Sequence, residues 1–392
     1  MSARYKKQRP TVVWVLLIDY LCTSRNEKSR PSPNAFNRGT AIGGGGEKEI
    51  RNMKNLDWAG LNFGYIPTDY NVRCYYRDGK WGEIETCSDE YLKLHMAATC
   101  LHYGQEAFEG LKAYRCPDGK VRVFRMGENA VRLQETCKGI MMPTVPVALF
   151  EEMVTKVIRL NQDYIPTYES KAALYIRPLL IGTSAQVGVK SAEEYLFLIF
   201  VTPVGPYFKG GFSTNPYVII RSFDRSAPLG TGMYKVGGNY AASLRANALA
   251  HEKGYASEFY LDAKEKKYVD ECGAANFFAI KGNKYVTPKS TSILPSITND
   301  SLMQLARDLG MEVERRPIPE EELSTFEEAG ACGTAAVISP ISYLDDMETG
   351  QRYTFSADGK PGPVSTRLYN LLRNIQYGIE EDKHGWTTVV IE

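Results

Sequence analysis

A two-domain α+β protein is what the sequence predicts, on three observations. Its 392 residues are 43% apolar and 24% charged, which suits a soluble globular chain of about two domains of ~150–200 residues. Short β-like runs alternate with helical ones along most of that length. A cluster of turn formers, Pro203-Val-Gly-Pro-Tyr-Phe-Lys-Gly-Gly211, divides them near the middle. The expected layout is an extension at 1–52, a small N-terminal α+β domain at 53–203, a linker at 204–212 and a larger C-terminal domain at 213–392.

The extension stands apart in charge. Residues 1–52 hold ten Lys/Arg against four Asp/Glu, a balance of +6, which leaves 37 − 42 = −5 for the rest of the chain. Arg4, Lys6, Lys7 and Arg9 precede an apolar run, Thr11 to Ile18, that has the outline of a secretory signal. Asp19 interrupts it, no small-x-small cleavage site follows, and a span needs about 20 apolar residues. The polar stretch from Ser24 to the glycines at 43–46 cannot bury enough surface to offset chain entropy, so a disordered extension is expected. The functional chain is then expected to open near Met53.

Within the first domain, Val121–Phe124 reads as a strand, and Asn129–Lys138 and Leu149–Asn161 as helices. Ala172–Ile181 and Tyr195–Val204 are apolar runs too short and β-branched for helices, which suits buried strands. In the second domain Tyr217–Arg221 is a predicted strand. Asn239–Lys253 is a predicted helix, with Asn239 as an N-cap, Ala241, Leu244, Ala248 and Leu249 along one side, and Gly254 as its stop. Glu258–Asp262, Tyr268–Asp270, Phe277–Ile280 and Lys284–Val286 follow as strands, the last two joined through Gly282-Asn283 as a hairpin. Helices at Asn299–Leu309, ended by Gly310, and at Ser365–Ile375 complete the set.

Composition excludes several functions. Lys plus Arg total 47 against 46 for Asp plus Glu, so the basic footprint of a nucleic-acid binder is missing. The eight cysteines show no C-x-x-C spacing and there are only four histidines, so no metal site is expected and the thiols suit a reducing, cytoplasmic compartment. The glycine run at 43–46 follows no strand and opens no helix, unlike a dinucleotide loop. No Walker loop, G-x-S-x-G elbow or HExxH is present.

The informative segment is Met233-Tyr-Lys235-Val-Gly-Gly-Asn-Tyr240, which places a lysine amine beside two glycines at a helix start. Taken alone, such a lysine is more often structural than catalytic. Glu271 lies in Asp270-Glu-Cys-Gly-Ala-Ala-Asn276, where a carboxylate has little solvent to face. Leu294-Pro-Ser-Ile-Thr298 and Cys332-Gly-Thr-Ala335 offer backbone amides to an anion. An amine, an acid and two anion cups together suggest pyridoxal phosphate, though spacing alone leaves that open.

Six segments, in order, resemble the branched-chain amino acid aminotransferases, which are class IV, fold type IV pyridoxal-phosphate enzymes of the D-amino acid aminotransferase-like fold. They are Leu101-His-Tyr-Gly-Gln-Glu-Ala-Phe-Glu-Gly110, Tyr175-Ile-Arg-Pro178, Lys235-Val-Gly-Gly-Asn-Tyr240, Glu271-Cys-Gly-Ala-Ala-Asn276, Leu294-Pro-Ser-Ile-Thr298 and Gly333-Thr-Ala335. The resemblance implies a β-barrel-like core in the C-terminal domain and a cofactor, pyridoxal 5'-phosphate, carried on Lys235, which also moves the substrate proton. It gives Glu271 the pyridine nitrogen, Tyr240 the phenolic oxygen, and Arg132, Ile297, Thr298, Gly333 and Thr334 the phosphate. Tyr103, Phe108, Tyr175 and Tyr207 match the side-chain pocket, with Arg177 and the Thr334-Ala335 amides toward the substrate carboxylate. Gln186 to Val189 of one subunit would cover the other's pocket, making a homodimer the smallest active unit. The implied reaction is transamination of L-leucine, L-isoleucine and L-valine with 2-oxoglutarate, by a ping-pong mechanism.

Two features depart from the family. Ala336 and Ser339 stand where mammalian members have a C-x-x-C pair, so a redox switch of that type is not expected. Ala274 stands where some members have a threonine beside the pyridine-binding carboxylate, and it cannot donate that hydrogen bond.

Overall fold

A computed structural model describes residues 56–208 and 210–392. The expected disordered extension at 1–52, and the suggested start at Met53, lie outside the described residues.

The first half builds β1 (Asn71–Arg77), β2 (Lys80–Trp81), β3 (Glu85–Cys87), α1 (Thr99–Tyr103), β4 (Glu106–Phe108), β5 (Leu111–Arg115) and β6 (Val121–Phe124). It continues with α2 (Met126–Gly139), α3 (Val147–Leu160), β7 (Ala173–Gly182) and β8 (Tyr195–Val204). The second half builds β9 (Asn215–Ile219), α4 (Gly237–Glu252), β10 (Ser257–Leu261), β11 (Val269–Cys272), β12 (Ala275–Lys281), β13 (Lys284–Pro288) and α5 (Ile297–Asp308). Then come β14 (Glu312–Arg316), β15 (Glu328–Gly333), β16 (Val337–Asp346), β17 (Arg352–Thr354), α6 (Pro363–Gln376) and β18 (Thr387–Ile391).

Nine strands form the first sheet, in the order β18-β6-β5-β7-β8-β1-β2, with β3 on β1 and β4 on β7. β7 and β8 pair without a register break from Ala173↔Val204 to Gly182↔Tyr195. Their near-continuous apolar content is what burial on both faces requires. One face receives α3, whose Phe150, Met153, Val154, Val157 and Ile158 recur at helical spacing and pack with Leu133 of α2 against Phe197 and Ile199. The last strand, β18, returns to pair with β6, so the expected 213–392 unit sends its C-terminus into the first sheet.

The second sheet is a barrel. β11-β10-β9-β16-β15-β12 run in order and β12 pairs back onto β11, closing six strands, while β13, β14 and β17 extend the wall. Phe259, Phe277, Ile341 and Leu344 fill it. The family's β-barrel-like core is therefore present, and the Gly282-Asn283 hairpin joins β12 to β13.

One helix faces differently from the expectation. α4 buries Asn239, Ser243, Ala246 and Ala250, while Leu244 points out. Small side chains let the helix approach the barrel closely, and that outweighs the leucines. Asn239 is not an N-cap either: Val236 holds that position. The Asn239 amide instead donates to the carbonyls of Thr231 (2.8 Å) and Tyr234 (2.9 Å), tying the preceding loop to the helix.

Candidate active site

A cavity of about 190 Å³ gathers residues of both sheets and of the segment leading into α4. Lys235 sits in that segment, stitched on two sides. Its N–H donates to the Thr136 hydroxyl of α2 (3.1 Å), and its carbonyl accepts from the N–H of Phe108 on β4 (3.1 Å). A third tie runs from the Gly237 N–H to the Glu106 carboxylate, which meets the positive end of α4. Fixed in this way, the Lys235 ammonium donates to the Tyr240 hydroxyl (2.9 Å) and lies 4.7 Å from the centre of the Phe108 ring.

Glu271 comes from β11 and is buried. One of its oxygens meets Arg225 Nη2 at 2.6 Å, and the other accepts from Asn276 Nδ2 at 2.9 Å. Burial pushes its carboxyl up to about 7, with Arg225 and Lys235 pulling against the rise and Asp270 adding to it. An acid so placed will share a proton with a basic nitrogen in the same cavity.

A cationic end lies at Arg132 of α2. Its guanidinium is bidentate to Glu109 (2.8 and 2.7 Å), and its remaining nitrogen donates to the Pro295 carbonyl (3.0 Å). Burial would raise the fully buried Glu109, but the Arg132 charge, helped by Lys235 and Asn129, brings that carboxyl below its ordinary value. Beside Pro295, the Ser296 hydroxyl caps α5 by accepting from the Asn299 N–H (3.1 Å), and Ser296 and Ile297 line the cavity. The Gly333–Ala335 turn between β15 and β16 lines it too, closed by Val337 at φ +67°, a costly conformation for a β-branched residue.

On the substrate side, Tyr175 and Arg177 project from β7, and Arg177 Nη2 donates to the Tyr175 hydroxyl (3.0 Å). That tyrosine needs Gly110 beneath it, since a Cβ there would meet its hydroxyl at 2.3 Å. Phe63 closes the wall edge-on, its ring centre 4.9 Å from that of Tyr175.

The structure thus gathers Lys235, Tyr240, Glu271, Arg132, Ile297, Gly333, Thr334, Ala335, Phe108, Tyr175 and Arg177 around one cavity. Four predicted site residues fall elsewhere. Thr298 is buried inside α5, one residue past the cavity wall. Tyr207 is half in solvent, at 52% exposure, and lines a neighbouring cavity that shares Ala335. Tyr103 is exposed and donates to the Val187 carbonyl, and Val189 is 86% exposed. Missed from the sequence were Phe63, Glu109, Arg225 and Asn276. Glu109 and Asn276 lie inside the motifs themselves, whereas Arg225 and Phe63 carry no local signal.

The donor set fits pyridoxal phosphate: a lysine amine, a carboxyl poised for a ring nitrogen, and an arginine with a helix N-terminus for the phosphate. Residues 106–344 match the amino-transferase class IV family. A branched-chain-amino-acid aminotransferase of Haemophilus influenzae is 48% identical over 345 residues, covering 86% of this chain and 100% of that protein. One from Helicobacter pylori is 47% identical, with 86% and 98% covered. The crystal structure of the Escherichia coli branched-chain amino acid aminotransferase superposes with a TM-score of 0.69 at 29% identity, over 82% of this chain and 99% of that one. On the motifs, the barrel and these relatives together, the chain belongs to the branched-chain-amino-acid aminotransferases of the class IV family.

Proposed function

We propose that this enzyme transfers the amino group of L-leucine, L-isoleucine and L-valine to 2-oxoglutarate, giving the branched 2-oxo acids and L-glutamate in ping-pong fashion. The observation that carries the proposal is Lys235 held 2.9 Å from Tyr240 in a cavity that also contains the Arg225-paired Glu271. Pyridoxal 5'-phosphate, when bound, supplies the electron sink that such a reaction needs. Lys235 would carry it, Glu271 would keep its ring nitrogen protonated, and Tyr240 would donate to its phenolic oxygen. Arg132, the Ser296-Ile297 amides and Gly333-Thr334 would hold its phosphate. Once free, the Lys235 amine is the base that takes the substrate α-proton, and the Tyr240 hydroxyl keeps that amine in place.

Phe63, Phe108 and the Tyr175 ring offer an apolar wall to a branched side chain, and Arg177 with the Thr334-Ala335 amides offers donors to a carboxylate. Leucine, isoleucine and valine differ by single methylenes worth about 1–3 kcal/mol each, so all three are expected to react. Glutamate brings a second carboxylate, which Arg177 can meet from β7.

The active unit is read as a homodimer, with Gln186 to Val189 of one protomer over the partner's cavity. In support, Tyr91, Met96, Val187 and Val189 are all above 80% exposed, a degree of apolar exposure that favours an interface. Residues 53–203 and 213–392 are read as two domains joined by 204–212. The seven cysteines of the described residues are free thiols, which supports a reducing, cytoplasmic setting.

A visible absorption spectrum tests the central proposal. The purified protein should show the band of a lysine-bound cofactor, and L-leucine without any oxo acid should discharge it. A band that D-alanine discharges and L-leucine leaves unchanged would remove the substrate assignment, and no band after added cofactor would remove the roles of Lys235 and Glu271.

A further inference from the structure

The neighbouring cavity that shares Ala335 has a volume of about 310 Å³, within the range of small-molecule pockets. Three cations face it: Lys112 from β5, Lys171 before β7, and Arg373 from α6. Among the described residues, none that lines it is an aspartate or a glutamate. The partners these cations do have are neutral. Lys112 donates to the Ala335 carbonyl (2.7 Å), and Arg373 donates to the Gln376 side chain (3.0 Å) and the Tyr377 hydroxyl (2.5 Å). Lys171 stands 3.4 Å over the centre of the Tyr168 ring.

Lys112 is only 8% exposed. A cation in that position is costly unless an anion meets it, and a second cation close by adds to the cost. The ammonium registers both effects, pulled down to about 7 by burial and by the Arg373 charge. Arg373 stays charged at any physiological pH. The walls between the cations are flat and apolar: Tyr114 and Tyr377 lie under the Arg373 guanidinium at 4.9 and 4.5 Å. Positive charge without a counter-ion among the described residues, set among aromatic faces, calls for a small anion with an apolar body.

We infer that this cavity is a second binding site for a branched aliphatic carboxylate, separate from the catalytic cavity, its carboxylate meeting Lys112 and Arg373 and its alkyl group the tyrosine faces. The choice of a branched ligand rests on the proposed function; the anion preference does not. Because Lys112 also holds the carbonyl of Ala335, and Ala335 lines both cavities, occupancy of one site is coupled to the turn that serves the other. Coupling of this kind is reciprocal, so substrate at the catalytic cavity changes affinity at the second site by the same factor.

The test is calorimetric titration of the holoenzyme with 4-methylpentanoate, which has neither an amino nor an oxo group to react. Two sites per chain are expected. Arg373→Gln should weaken one of them about tenfold or more, the loss expected of a charge-assisted contact, and leave KM for L-leucine unchanged. Lys171→Gln, at an exposed position, should weaken the same site without risk to folding. One site per chain in the unmodified enzyme, or two undiminished sites in both variants, overturns the inference. Displacement of 4-methylpentanoate from the second site by inorganic phosphate at equal concentration also overturns it, since the site would then read charge alone. The cofactor's response to L-leucine reads the catalytic proposal separately, so a missing second site beside a normal response counts against this inference only.

Discussion

At Glu271 two demands meet, a buried position and a proton to hold. With its carboxyl raised to about 7 from an ordinary 4.5, the folded cofactor-free protein binds a proton there that the unfolded chain has already released. Over that interval the unfolded state binds fewer protons, so stability falls as pH rises, by about 1.4 kcal/mol per unit. Glu271→Gln, which stays neutral, should remove this part of the slope. Urea midpoints of the cofactor-free protein at pH 5.5 and 7.5 should then differ less in the variant than in the parent, and an unchanged difference would show that Glu271 is charged throughout. The same variant should retain Asn276 as a partner yet lose most turnover, because an amide cannot keep a ring nitrogen protonated. Glu109 has the opposite sign: its folded value lies below the ordinary one, so its contribution is present at neutral pH and lost on acidification. Lys235 and Glu271 were legible because each sits in a motif with its neighbours in sequence. Arg225 was not, since what identifies it is a 2.6 Å contact with a residue on another element.

At the scale of elements, patterns that belong to one segment were readable and those that depend on partners were not. β8 occupies the predicted Tyr195–Val204, and α3 and α5 lie within two residues of their predicted bounds, because apolar runs and helical periodicity are local. The buried face of α4 was misjudged because its leucines argue for one side while close packing selects the small residues of another. β18 carries no local sign that it pairs with β6, more than 260 residues earlier. α5 joins fold to function most directly: the Ser296 hydroxyl that caps it stands in the cavity wall. Ser296→Ala should therefore cost about 1 kcal/mol of stability, the usual value of an N-cap, and also weaken cofactor retention. Denaturant midpoints and the cofactor content after dialysis would measure the two effects, and loss of stability with full retention would show that the α5 terminus does not hold the phosphate.

Across the whole molecule, the placement of Tyr103 and Val189 bears on the proposed homodimer. A single protomer leaves Val189 in solvent and joins the Tyr103 hydroxyl to the backbone of the loop before it, so neither touches the cavity that their motifs predict. The barrel closure could not be read from the sequence for a related reason: pairing of β12 with β11 and with β15 is fixed by contacts among separate segments, not by any one of them. If the loop of one protomer completes the partner's cavity, two different inactive variants must rescue one another. Lys235→Ala removes the amine but keeps the loop. Val189→Asp keeps the amine but puts a charge where a branched side chain has to be covered. Mixed in equal amounts under conditions that exchange subunits, half of the dimers would be hybrids, each with one complete site, and activity should recover to about a quarter of the parent value. Each variant alone stays inactive, so recovered turnover reports a shared site directly. Hybrids confirmed by mass spectrometry but still inactive would mean that the loop acts within its own protomer and does not cross to the partner's cavity.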